Sequence, residues 1–399
     1  MQTSFRTTRG GTRLLFDSVQ GITTTVERMH EKIARTATPW PTPEKRAHGL
    51  IAAAVYRVIR GVNGGLRASI DWGFEQVPEQ LRSDVGSTTE AKVVAALNGV
   101  FGDRLEATDN PLATPMQLMT PEQALPLETS AIEAALPAVT PHLVVLVHGL
   151  SLSELCWKRK GRPCIGEQLR DDHGYTPLYL RYNTGRHIST NGQEFAQQLA
   201  SLCAAWPVPV ESISLVGHSM GGLVIRSACW YARDNQSEWL QHLQRVVCLG
   251  TPHHGSPLEK AGHAFEQVMQ RVPYAQPLLF GKLRSVGIKD LRYGSLLDED
   301  WEGFDPDAPR PNSHRVVPLM PGVEYYFAAA NLGKDQYDPL SHLLGDLLVR
   351  PDSAVGLHKN ELRKLHIKPE NCRVFHEKNH FDLLDDKRVH QQVIDWFTR

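Results

Sequence analysis

The chain lacks a long hydrophobic run. No stretch of its 399 residues approaches ~18 uninterrupted apolar positions, so no transmembrane helix is expected. The opening MQTSFRTTRGGTRLLF has arginines but neither a continuous apolar core nor a small-residue cleavage site, so a secretory leader is not expected. An excess of one charge is also missing: 43 Lys and Arg face 44 Asp and Glu, for a net −1. That balance gives no footprint for nucleic acid and no general pull to an anionic membrane. The expectation is a cytoplasmic protein with no nucleic-acid partner. Cysteine is sparse, and Cys156, Cys164, Cys203, Cys229, Cys248 and Cys372 form neither CxxC nor a Cys/His metal spacing, so no metal is expected. Cys203, Cys229 and Cys248 lie in apolar segments and read as small core residues, while Cys156 and Cys164 share a polar loop that leaves room for a disulfide. No internal repeat is present.

Two textures divide what remains. The first hundred residues carry helical seams. Leu15, Val19, Ile22, Val26, Met29 and Ile33 recur at steps of four and three, until Pro39, Pro41 and Pro43 break the pattern. A second helix is expected near 46–62. A third starts at a capping box, Ser87 and Glu90, and is expected to stop at Gly102. These seams either pack within the protein or dock on a membrane surface. Prolines recur from Asn110 to Pro141, which reads as a linker with room for short edge strands. This gives an N-terminal helical region (1–109), a linker (110–141) and a third domain (142–399).

After Pro141 the pattern is one of buried strands. LVVLVHG (143–149) is continuously apolar, as expected of a strand covered on both faces, and TPLYLRY (176–182), SISLVG (212–217), RVVCLG (245–250), VEYYFAAA (323–330) and CRVFH (372–376) repeat the theme. Helical patterns at 190–205 and 220–234 alternate with them, and DKRVHQQVIDWFTR closes the chain. Alternation of this kind predicts an α/β fold with a doubly wound, mostly parallel sheet. An insertion at about 257–322 is expected to cap the sheet, with an apolar stripe of Leu258, Ala261, Phe265, Val268, Met269 and Val272.

The chemistry rests on Gly217-His218-Ser219-Met220-Gly221, a G-x-S-x-G nucleophile elbow between a strand and a helix. Glycine on both sides of the serine relieves crowding at a strained turn. A serine hydroxyl needs a base, an orienting acid and donors for the developing oxyanion, and in this sheet class all must come from the carboxyl ends of strands. VHGL (147–150) ends the first clear strand and offers the amide of Leu150. The amide of Met220 is the second donor. The base follows the last strand: His380 in the loop beyond it, with His376 at the strand end read as structural. The acid follows the strand before that, with Asp346 preferred over Asp352, which could instead cap a turn. His253 and His254 read as support for the site rather than metal ligands. Arg181, Tyr182, Asn183 and Arg186 either support the oxyanion loop or bind substrate.

From about 142 to 399 the chain resembles α/β-hydrolase lipases and esterases, most of all GPI inositol-deacylase-like proteins and bacterial triacylglycerol lipases. The resemblance is carried by VHGL, RYNTGRHIS (181–189), GHSMGG, TPHHGSP (251–257), GDLLVRPDSA (345–354) and NHFDLL. GDLLVR departs from the GDGxVP setting of the family acid. The expected activity is hydrolysis of carboxylic esters, of lipid or acyl substrates, through Ser219, His380 and Asp346 and an acyl-enzyme, with no cofactor. The alternatives are a phospholipase, a thioesterase, an intracellular polyester depolymerase, an acyltransferase, or a lipid-binding protein that does no chemistry.

Overall fold

The computed structural model describes residues 6–17, 20, 60, 88–158, 163–256, 284–305, 316–334, 346 and 348–398. Most of the seam from Val19 to Ile33, the helix expected at 46–62 and the apolar stripe at 258–272 lie outside them. The chain divides into two compact units, one of residues 1–90 and 105–113, the other of 91–104 and 114–399. In the first unit residues 6–17 are helical, and the Asn110 side chain donates to the carbonyl of Gly10 at 3.1 Å.

The second unit is built on a seven-stranded sheet among the described residues. Its strands are β1 (Gln117–Met119), β2 (His142–Val147), β3 (Thr176–Arg181), β4 (Ser212–His218), β5 (Leu243–Leu249), β6 (Glu324–Asn331) and β7 (Cys372–His376). Their order is β1-β3-β2-β4-β5-β6-β7, parallel except for β1, which pairs antiparallel with β3. This is the doubly wound sheet of the α/β-hydrolase fold. Burial on both faces explains the unbroken apolar runs. Leu143, Val145 and Val147 of β2 pack with Phe195, Leu199, Leu223 and Ala228 of the helices Ile188–Ala205 and Met220–Asp234. Val144 and Leu146 face Ile165, Leu169, Val389 and Val393 of the helices Ile165–His173 and Lys387–Phe397 on the other side.

Three details refine the sequence reading. The helix Thr88–Ala107 runs through Gly102 instead of ending there. Gly102 is needed for closeness: a Cβ at that position would lie 1.8 Å from Asn183 Oδ1. The proline-rich segment 110–141 supplies β1 and a short helix, Thr129–Ala135, because Gln117–Met119 finds an open edge on β3. All six cysteines are free thiols, and Cys164 caps the helix Ile165–His173 and contacts the Tyr179 hydroxyl at 3.2 Å.

The winding reverses at β2. The chain lays β3 on one side of it and β4 on the other, which opens a crevice at the carboxyl ends of β2 and β4, where ligands bind in such sheets. Register then decides what meets there. Val147 pairs with Gly217, so Gly149 comes level with Ser219 two residues later, and Leu150 with Met220.

Candidate active site

Ser219 sits between β4 and the helix Met220–Asp234 with φ 54° and ψ −121°, a conformation that non-glycine residues rarely adopt. Its amide donates to the Leu249 carbonyl at 2.8 Å, which pins the turn to the end of β5. The surrounding glycines leave the needed room. A Cβ on Gly221 would lie 2.2 Å from the Val147 carbonyl oxygen, and one on Gly149 would lie 2.9 Å from the Cβ of Ser219. Strain at a single half-buried serine, held by packing on every side, is the mark of a functional turn.

His380 follows β7 and is 2% exposed. Its Nδ1 lies 2.7 Å from Asp346 Oδ2, and its amide donates to the Asp346 carbonyl at 3.3 Å. A carboxylate only accepts, so Nδ1 carries the proton and Nε2 keeps its lone pair. Nε2 is buried with no hydrogen-bond partner. Asp346 is 1% exposed, and its second oxygen accepts from the amides of Leu348 and Val349 at 2.9 and 2.6 Å. Asp352 is exposed in the short helix Pro351–Ala354, where Arg350 is the N-cap residue. The structure thus brings Asp346 to His380 and leaves Asp352 on the surface.

Ser219 and His380 line one pocket, together with Leu150. Leu152, Leu291 and Phe381 add apolar walls. Met220 is the first residue of its helix, so its amide has no acceptor within that helix. Leu150 thus lines the pocket, and Met220 follows Ser219 directly at the start of its helix.

The neighbours divide into supports. Arg181 is paired with Glu154, whose carboxylate accepts from Nε at 3.0 Å; burial raises the Glu154 pKa but the Arg181 guanidinium outweighs it and holds the carboxyl low. The Tyr182 hydroxyl donates to the His148 carbonyl at 2.7 Å, Asn183 Nδ2 donates to the Gly102 carbonyl at 2.9 Å, and Arg186 pairs with Glu194. These four residues brace loops and none lines the pocket. His376 stays at the end of β7. His253 stacks on Phe327 with ring centroids 4.2 Å apart, and its Nδ1 faces Arg226 Nη1 at 3.3 Å. Among the described residues no group of three or more His, Cys, Asp or Glu is placed to hold a metal ion, and no helix is long and apolar enough to cross a membrane.

Arg226 went unread in the sequence. It is buried on the helix Met220–Asp234, donates to the Val317 carbonyl at 2.6 Å, and looks like an ordinary helix-surface arginine until the fold covers it. His218 was read only as part of the elbow. Burial and the adjoining His380 push its pKa well down, so it is neutral, and its Nε2 donates to the His380 carbonyl at 3.2 Å. A neutral ring 4.8 Å from His380 does not oppose a positive charge formed there.

Burial also depresses His253 strongly and takes His148 and His254 each to about 4. The unfolded chain takes up these protons around pH 6.5. The folded chain refuses them, so stability is full above that value and falls as pH drops toward 4. Each such histidine costs about 1.4 kcal/mol per pH unit below its unfolded pKa. The fully buried set of His148, His218 and His253 is therefore expected to lower the unfolding free energy by about 4 kcal/mol between pH 7 and 5.5. Urea melts at the two pH values check this; coincident midpoints contradict it.

Residues 142–321 match the PGAP1-like alpha/beta domain family. No curated protein matches the chain in sequence. Among solved structures it is similar to a lipase of Bacillus licheniformis in its mature form (17% identity, 65% of this chain and 92% of that one, TM-score 0.40). It is also similar to an esterase of Pyrobaculum calidifontis (14%, 80% and 94%, TM-score 0.40) and to one of Pyrococcus furiosus (13%, 65% and 81%, TM-score 0.36).

Proposed function

For a chain with the α/β-hydrolase fold, we propose that it is a serine hydrolase of carboxylic esters with lipid or acyl substrates. The observation that carries the reading is the state of His380: Nδ1 is tied to a buried carboxylate at 2.7 Å, and Nε2 is left without a partner in the pocket that Ser219 lines. That imidazole is poised to accept a proton and to be stabilised once it has it.

The sequence of events follows from these groups. Nε2 of His380 takes the Ser219 proton as Oγ attacks the acyl carbonyl. The carbonyl oxygen gains the charge and is held by the amides of Leu150 and Met220. Collapse expels the alcohol, which receives the proton from His380, and leaves Ser219 acylated. Water, deprotonated by His380, then releases the acid. Asp346 keeps Nδ1 protonated throughout and stabilises the imidazolium. The apolar walls of Leu150, Leu152, Leu291 and Phe381 favour an acyl chain over a charged one, because charge buried there would be unpaired.

Purified protein on p-nitrophenyl esters of graded acyl length tests this. Turnover well above the buffer rate, with a preferred chain length, is expected. Rates equal to buffer across the series contradict it.

A further inference from the structure

We propose that residues 91–104 of the helix Thr88–Ala107, which lie outside the family-matched segment, position the oxyanion loop of the active site, with Gly99 and Thr184 as the positioning residues. The inference rests on the assignment of Leu150 as an oxyanion donor.

The loop after β2 is unusual at Ser151, which has φ 58° and follows directly on Leu150. A left-handed serine holds its place only where the surroundings over-determine it. Two contacts do so. The Ser151 amide donates to Thr184 Oγ1 at 3.1 Å. On the other side stands Gly99, where a Cβ would lie 1.9 Å from Ser151 Oγ and 2.9 Å from its Cα. The Ser151 hydroxyl is buried, and no hydrogen bond of its own holds it in place. The helix comes this close only because residue 99 has no side chain.

The same helix is locked in turn to the loops around it. Ser285 Oγ donates to the Gly99 carbonyl at 2.6 Å, and the Val286 amide donates to Asp103 Oδ2 at 3.2 Å. Asn183 Nδ2 holds the Gly102 carbonyl, and a Cβ on Gly185 would lie 2.2 Å from the Asn98 carbonyl oxygen. Thr184, which restrains Ser151, therefore sits on a loop that the helix itself clamps. Gly99 and Gly102 make one small-residue face, and both meet loops at the carboxyl end of the sheet. The arrangement fixes the direction of the Leu150 amide before substrate arrives, which is what gives such a donor its effect on the transition state.

Two variants read this out: Gly99→Ala, which pushes a methyl into the loop, and Thr184→Val, which removes the restraint without changing volume. Each is measured as kcat per site titrated with a fluorophosphonate, so that misfolded molecules do not count, alongside KM. The expected result for each is a loss of about tenfold to 10²-fold in kcat with KM unchanged, because the oxyanion donor acts only in the transition state. Adding Ser151→Gly to Gly99→Ala removes the obstructing Oγ and Cβ and suits φ 58°, so most of the lost kcat should return. Wild-type kcat in Thr184→Val, a Gly99→Ala loss that Ser151→Gly does not relieve, or losses confined to KM overturn the proposal. Ser219→Ala runs in parallel. If it still turns over ester, the hydrolase reading has failed; if it is inactive while Thr184→Val keeps full kcat, the brace alone has failed.

Discussion

Ser219→Ala is expected to reduce kcat for ester hydrolysis by on the order of 10⁶, to the edge of detection, with thermal stability unchanged or improved. The size follows from the route. Without Oγ there is no covalent intermediate, and His380 Nε2 has only water to activate. What remains is binding and the two amide donors, worth about 10³ to 10⁴ over the uncatalysed rate in comparable sites. The stability side follows from φ 54° at position 219, where the strain is set by the backbone, and alanine removes a hydroxyl without adding bulk. A variant that keeps even a tenth of the wild-type rate while folded is incompatible with Ser219 as nucleophile.

The second large effect concerns the acid. Asp346→Asn is expected to cost about 10⁴ in kcat, and Asp352→Asn less than about twofold. An asparagine at 346 keeps the two loop bonds by accepting from the amides of Leu348 and Val349 with its carbonyl oxygen. Its NH₂ then faces His380 Nδ1. A donor there requires Nδ1 to accept, which moves the imidazole proton to Nε2 and leaves no base for Ser219. The fold survives because the loop bonds survive. Asp352 is exposed in the helix Pro351–Ala354, while Asp346 holds His380 Nδ1, so loss of Asp352 leaves the imidazole as it was. Steady-state kinetics on the two variants decide the point; a crippled Asp352→Asn beside a mild Asp346→Asn reverses the roles.

How far the sequence disclosed all this depends on the range of the signal. Strands buried on both faces announce themselves as apolar runs, and CRVFH at 372–376 and the helix at 220–234 appear in the structure with the bounds the pattern gives. The elbow is legible because its constraints are local: glycines within three residues of Ser219 and a strand and helix on either side. Asp346 and Asp352 were separable only by preference in the sequence, since both follow β6. What parts them is burial and the approach of a loop from β7, neither of which is written in a six-residue window. Gly102 shows the converse error. A glycine late in a helical pattern reads as a stop, yet here its role is contact with Asn183, 81 residues away. Arg181, Tyr182 and Asn183 were ambiguous for the same reason, because a polar residue at a strand end looks alike whether it faces substrate or braces a neighbouring loop. The segment 110–141 left room for short edge strands without placing β1, because a three-residue edge strand has too few positions to show a period.

The most direct test of the account is the location of a covalent mark. After incubation of the wild-type protein with a fluorophosphonate, digestion and peptide mass analysis are expected to place a single stoichiometric adduct on Ser219, with Ser219→Ala abolishing it. An adduct on another residue, or none while the protein hydrolyses ester, contradicts the assignment of Ser219 as the nucleophile.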